Sequence, residues 1–144
     1  MLLKMLPDQI AKHWEHIKPA IEGSLPDVDV VTEEMMTNIL TRLISGSMSC
    51  WVIRDEDKKD RAIITTIYFY SPLGDRDLCL YTAFAFSPVS DTLWNDAFDT
   101  LRKWAIRNDC KHVVSYTENK RMLRLAESYG CSVKTFISFD LNRR

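Results

Sequence analysis

No stretch of the 144 residues approaches the roughly 18 consecutive apolar residues of a membrane-spanning helix, so no membrane partner is expected. Charge of one sign is not in excess either: 19 Lys and Arg stand against 20 Asp and Glu, a formal net charge of -1. A nucleic-acid or anionic-membrane binder normally carries a cationic footprint, and this balance removes it. The opening residues MLLKMLPDQ interrupt their apolar stretch with Lys4 and end it at Pro7, too short a run for a secretory signal. The expectation is a soluble protein of the cytoplasm.

Paired cysteines are also missing. Cys50, Cys79, Cys110 and Cys131 are far apart with no C-x-x-C among them, so they read as buried free thiols rather than disulfides or zinc ligands. There is no H-E-x-x-H, no Gly-rich nucleotide loop and no Ser-His-Asp set. His13 and His16 share a helix face but have no evident third ligand, so no metal is expected. The aromatic stretches TTIYFY (65–70) and LYTAFAF (80–86) lack interleaved Lys or Arg. They read as core packing, not as a platform for bases.

What is present is a chain of 46% apolar residues, enough for one core in a single domain over residues 1–144. Residues 2–6 form a short strand ended by Pro7. From Asp8, the residues Ile10, Trp14, Ile17, Ile21 and Leu25 recur every three or four positions, which predicts one helix face; Pro19 should kink or divide that helix. Thr32 is positioned to cap a second helix with the stripe Met35, Met36, Ile39, Leu40, Leu43 and Ile44, closed by Gly46.

Three β-rich runs follow, SCWVIRD (49–55), AIITTIYFY (62–70) and LCLYTAFAF (78–86), joined by short turns that predict an antiparallel meander. Leu93, Trp94, Ala97, Phe98, Leu101, Trp104 and Ala105 mark a long helix over 92–107. Then come strand HVVSY (112–116), a helix capped by Thr117 or Asn119 and by Gly130, and a final strand over 132–141. The expected class is a mixed-sheet α/β fold in the order β-α-α-β-β-β-α-β-α-β.

This order, with ENKRMLRLAESYGC (118–131) between its last two strands, resembles the GCN5-related N-acetyltransferase (GNAT) superfamily over nearly the whole chain. The family's penultimate helix reads Asn-x-x-Ala-x-x-Leu-Tyr-Glu-x-x-Gly-Phe. Asn119, Leu125, Glu127 and Gly130 fall on their positions, while Met122, Ala126 and Cys131 replace the Ala, Tyr and Phe. The resemblance implies acetyl-CoA as the cofactor of an active member, in a cleft between the strand over 78–86 and the one over 112–116. Backbone groups of Phe84, Ala85 and Phe86 would align the pantetheine and polarise the thioester, with Asn119 on the ligand side.

The departures from the pattern have physical consequences. The replaced Tyr commonly protonates the departing thiolate in the family, and Ala126 has no proton to give. Tyr129 lies roughly 300° round the helix from that position. Tyr116, at the end of the preceding strand, is the candidate substitute, or else an aromatic that packs the sheet end. The family's Gly-rich phosphate loop corresponds to FSPVSDTLWNDAF (86–98), with no glycine and no basic residue. Ser90 and Asp91 would cap the helix themselves, and an ionised Asp91 would repel a diphosphate by about 1 kcal/mol or more when partly desolvated. Lys120, Arg121 and Arg124 make one short basic face on the penultimate helix.

Two functions follow from the resemblance. One is a degenerate GNAT fold kept as a binding or structural protein, similar to small bacteriophage GNAT-like proteins, some of them virion components, with a protein partner or self-association. The location would then be the host cytoplasm or the virion. The other is an N-acetyltransferase that passes an acetyl group from acetyl-CoA to an amine. The missing loop and missing acid favour the first.

Overall fold

The structure is a computed structural model that describes residues 1–26, 30–117 and 119–142. Its centre is one five-stranded sheet in the order β1-β2-β3-β4-β5. The strands are β1 (Leu2–Lys4), β2 (Met48–Arg54), β3 (Asp60–Tyr70), β4 (Arg76–Ala85) and β5 (His112–Ser115). The first four pair antiparallel, and β5 joins β4 in parallel. A parallel partner needs a crossover, supplied by helix α4 (Asp91–Arg107). The expected mixed-sheet α/β class is the one observed.

Side chains alternate across β3, so the sheet carries a core on each face. Ile63 and Ile67 join Cys50 and Cys79 against helices α1 (Pro7–Lys12), α2 (Trp14–Glu22) and α3 (Glu33–Ser45), which bury Ile10, Ile17, Ile21, Met36 and Leu43. Ile64 and Leu78 face the other way, onto Trp94, Ala97, Leu101 and Ala105 of α4. Two buried polar contacts lock the strands without leaving an orphan. The Trp51 indole N–H donates to Thr66 Oγ1 at 3.0 Å, and the Thr65 and Thr82 hydroxyls share a bond of 2.5 Å.

The predicted caps form. Thr32 Oγ1 accepts from the Met35 N–H at 3.2 Å, and Ser90 Oγ accepts from the Leu93 N–H at 3.2 Å. Pro19, by contrast, does not divide its helix. It lies exposed inside α2, which continues through it to Glu22. The division falls at His13 (φ -107°, ψ 17°), and Ile10 and Ile17 on either side reach the same core.

The second departure is at the other end. Helix α5 (Lys120–Ser128) is followed by residues 131–140 with no regular structure, so the strand expected over 132–141 is not formed. Alternation marks a segment as strand-like but provides no pairing partner, and the adjacent β5 is only four residues long. The order among the described residues is therefore β-α-α-α-β-β-β-α-β-α. The thiols divide along the same line. Cys50 and Cys79 are buried, and burial pushes their pKa values up to about 12 and about 11. Cys110 is half-buried, and Cys131, expected inside, is exposed because the chain after α5 packs on no core.

Candidate functional site

Strands β4 and β5 stay paired only from Asp77 opposite His112 to Leu80 opposite Ser115. Beyond that point β4 continues to Ala85 paired only with β3, and the sheet opens on its β5 side. At this place β4 also carries a bulge: Thr65 pairs with Thr82 and Thr66 with Leu80, leaving Tyr81 as the extra residue. The opening leads into a cleft of about 390 Å³, bounded by Ala83 and Ala85 of β4, the loop through Ser87 and Val89, Trp94 of α4, and Asn119 and Arg121 at the start of α5.

The ladder decides which backbone groups face the cleft. The Phe86 N–H donates to the Arg61 carbonyl at 2.8 Å, and Ala85 lies opposite Ala62. In an antiparallel pair successive residues turn their backbone groups to alternate sides. Phe84 and Phe86 therefore spend theirs on β3, while Ala83 and Ala85 turn theirs towards the open side. The Phe84 ring is on the other face of the sheet. It packs so closely on Gly23 that a Cβ there would lie 2.9 Å from Phe84 Cε2.

Asn119 borders the cleft, but its Oδ1 accepts from the Arg121 N–H at 2.9 Å and the Met122 N–H at 3.2 Å. It thus caps α5 in the manner of any helix-opening Asn. Gly130, at φ 83°, ends the helix unit in the left-handed region that its lack of Cβ permits. Tyr116 does not line the cleft; its ring lies 6.3 Å from that of Phe69 and 5.2 Å from that of Phe136. Tyr129 is committed to α4, with its ring stacked on Phe98 at 4.4 Å and its hydroxyl donating to Asn95 Oδ1. Burial raises its pKa, and Asp91 adds to the effect.

The residue that the sequence did not assign to this site is Arg121. Its Nη2 donates to the Val89 carbonyl at 2.8 Å and to Asp91 Oδ1 at 3.1 Å. A basic group therefore stands at the loop after all, brought from α5 and already engaged. From the other side Arg61 donates through Nη1 to Ser87 Oγ at 3.0 Å and through Nε to Asp55 Oδ2 at 2.6 Å. The loop after β4 is held at both ends by arginines from outside it. Only the spacing of Lys120, Arg121 and Arg124 hinted at this, because the pairing depends on how α5 packs beside α4.

No family model matches the sequence, and no curated protein matches it. Solved structures do match over essentially their whole length. A probable acetyltransferase superposes with a TM-score of 0.72 at 13% identity, covering 100% of this chain and 98% of the other. A predicted acetyltransferase from Clostridium acetobutylicum, solved with acetyl-CoA, gives 0.71 at 14% identity over 98% and 96%. AAC(6')-Iy in complex with a CoA-containing bisubstrate analogue gives 0.71 at 12% identity over 100% and 98%. Identity this low carries the architecture and not the chemistry. The chain has the GNAT fold.

Proposed function

We propose that this protein is a GNAT-fold binding or structural protein in which the cofactor loop has been closed, and that it does not transfer acetyl groups. The observation that carries the reading is the engagement of Arg121 with Val89 and Asp91 at the first turn of α4. Acetyl-CoA, the cofactor the fold implies, needs free N–H groups and positive potential for its diphosphate at such a helix start. The residues present do not fit that group. There is no glycine from Ala83 to Asp91 to allow close backbone approach, a carboxylate stands at the first helical position, and the nearest guanidinium is already paired with it. Ala126 offers no acid, and Tyr129 is held on α4. In this reading the chain acts through a protein partner or its own copies, as a cytoplasmic or virion component.

One observation favours a second reading, acetyl transfer from acetyl-CoA to an amine. The open edge at Ala83 and Ala85 could align a pantetheine without a loop, and neighbours of the same fold were solved with acetyl-CoA or a CoA analogue. Calorimetric titration of the protein with acetyl-CoA and CoA separates the two. The binding or structural reading expects no heat at millimolar ligand. Binding tighter than about 100 μM, roughly -5.5 kcal/mol, would overturn it in favour of acetyl transfer.

A further inference from the structure

The face of α4 that looks towards β1 and β2 carries a cavity separate from the cleft. It encloses about 150 Å³ between Trp51, Thr100, Lys103, Trp104 and Arg107. Thr100, Lys103, Trp104 and Arg107 share one side of the helix. Trp104 lies ten residues after Trp94 of the cleft, about 15 Å further along the helix axis. Lys4 and Trp51 stand side by side opposite that face, because they are register partners of β1 and β2.

The Trp51 ring meets the Trp104 ring edge-on, with centroids 5.2 Å apart and planes at 82°, and Lys4 Nζ lies 5.4 Å from the Trp104 centroid. Trp51 is buried and its indole N–H is spent on Thr66, so it forms a fixed apolar wall. Trp104 is half-buried. Its own indole N–H has no partner among the described residues and is not sealed from solvent. The charged side chains at the cavity, Lys4, Lys103 and Arg107, are all cations. Asp99 holds Lys103 at 2.8 Å, but it also holds Arg102 at 3.0 Å. Among the described residues neither Lys4 nor Arg107 has an ion-pair partner. Cations gathered beside two indoles without matching carboxylates repel one another, and an incoming anion relieves that repulsion.

We propose that this cavity is a binding site for a small aromatic carboxylate, one ring bearing one carboxylate. The indoles of Trp51 and Trp104 take the ring. Arg107 takes the carboxylate, since a guanidinium offers it two parallel N–H donors, and Lys4 and Lys103 complete a positive rim. Size and charge select this class together. A cavity of this order accepts a ring of benzene size, and a neutral ring would cover the cations without pairing them. An inorganic anion would leave the indoles unused.

The test is a titration of the full chain with benzoate, followed through the indole N–H signals in NMR spectra, with Trp104→Phe used to assign the Trp104 signal. Benzoate should shift the Trp51 and Trp104 signals to saturation with a Kd of about 1 mM or tighter. Acetate has the charge without the ring and benzamide the ring without the charge, and each should bind at least about tenfold more weakly. Arg107→Gln should weaken benzoate binding by about tenfold or more. Arg107→Lys should weaken it less, because a lysine keeps the charge and loses only the paired donors. Arg107 is exposed and Gln is nearly as good a helix former, so both variants keep the fold. No saturation by about 10 mM benzoate, equal binding of acetate or benzamide, an unchanged Kd in Arg107→Gln, or shifts confined to Trp94 at the cleft would each overturn the inference. No coenzyme A enters these measurements, so they leave the closed-cleft reading to its own titration.

Discussion

The scaffold and the cleft side of this molecule are built differently. Every buried residue among those described lies at or before Ala105, in the sheet, in the helices that cover its two faces, or, for Val89, in the loop between β4 and α4. From Ile106 to Asn142 no described residue is buried, although this stretch contains β5, α5 and one whole side of the cleft. Helix α5 is held by half-buried Met122 and Leu125, by the Tyr129 stack on Phe98, and by the Arg121 bonds to the loop. The difference teaches that the cleft is a contact between a close-packed body and an attachment fixed by half-buried side chains, one ring stack and the Arg121 bonds. A change of function on this fold can then be made in the attachment without disturbing the body.

The sharpest way to break that comparison is to make the same truncation on both sides. Leu101 is fully buried on α4, and Leu101→Ala should cost about 2–5 kcal/mol, the lost transfer energy plus a cavity. Leu125 only flanks the same core, so Leu125→Ala should cost about 1 kcal/mol. Urea denaturation of the two variants measures both. Equal losses would mean that α5 is as integral to the core as α4, and the division would fall.

Sequence reading reached the body more fully than the attachment, and the reason is physical. The three central strands, the long helix and the caps at Thr32 and Ser90 follow from periodicity and from local hydrogen bonding, which neighbours in sequence determine. Asn119 capping α5 was legible for the same cause. Three of the failures involve partners distant in the chain. Residues 132–141 alternate like a strand yet meet none, Cys131 belongs to that unpacked stretch, and Arg121 reaches a loop about thirty residues away. Pro19 misled for a different reason. A proline inside a helix removes one N–H but need not end the helix, and the break falls at His13 instead.

A smaller effect sharpens the comparison at the cleft itself. Asn119 accepts two backbone N–H groups at the start of α5, and Asn119→Ala should cost about 1 kcal/mol. Because α5 is an attachment, the loss should be local. Hydrogen exchange should quicken in α5 while protection in β2, β3 and β4 stays unchanged. A uniform loss of protection through the sheet would show instead that α5 unfolds only with the body.

The smallest expected effect concerns a place where the body grips the cleft loop through a titratable group. The Asp55 carboxylate accepts from the Lys59 N–H at 2.9 Å and from Arg61, which in turn holds Ser87. The Lys59 backbone bond first, and the Arg61 guanidinium second, lower the Asp55 pKa. A carboxyl whose folded pKa lies below its unfolded value adds stability above the unfolded range, about pH 4, and loses it as pH falls through the folded value. Asp55→Asn removes that dependence, so the variant should lose less stability than the parent between about pH 5 and pH 2. Exchange at Ser87 should also rise in the parent over the same interval, because a protonated Asp55 frees Arg61. Identical acid profiles for parent and variant would mean that the arginine holds the loop without help from the carboxylate, and that the body's grip on the cleft is independent of pH.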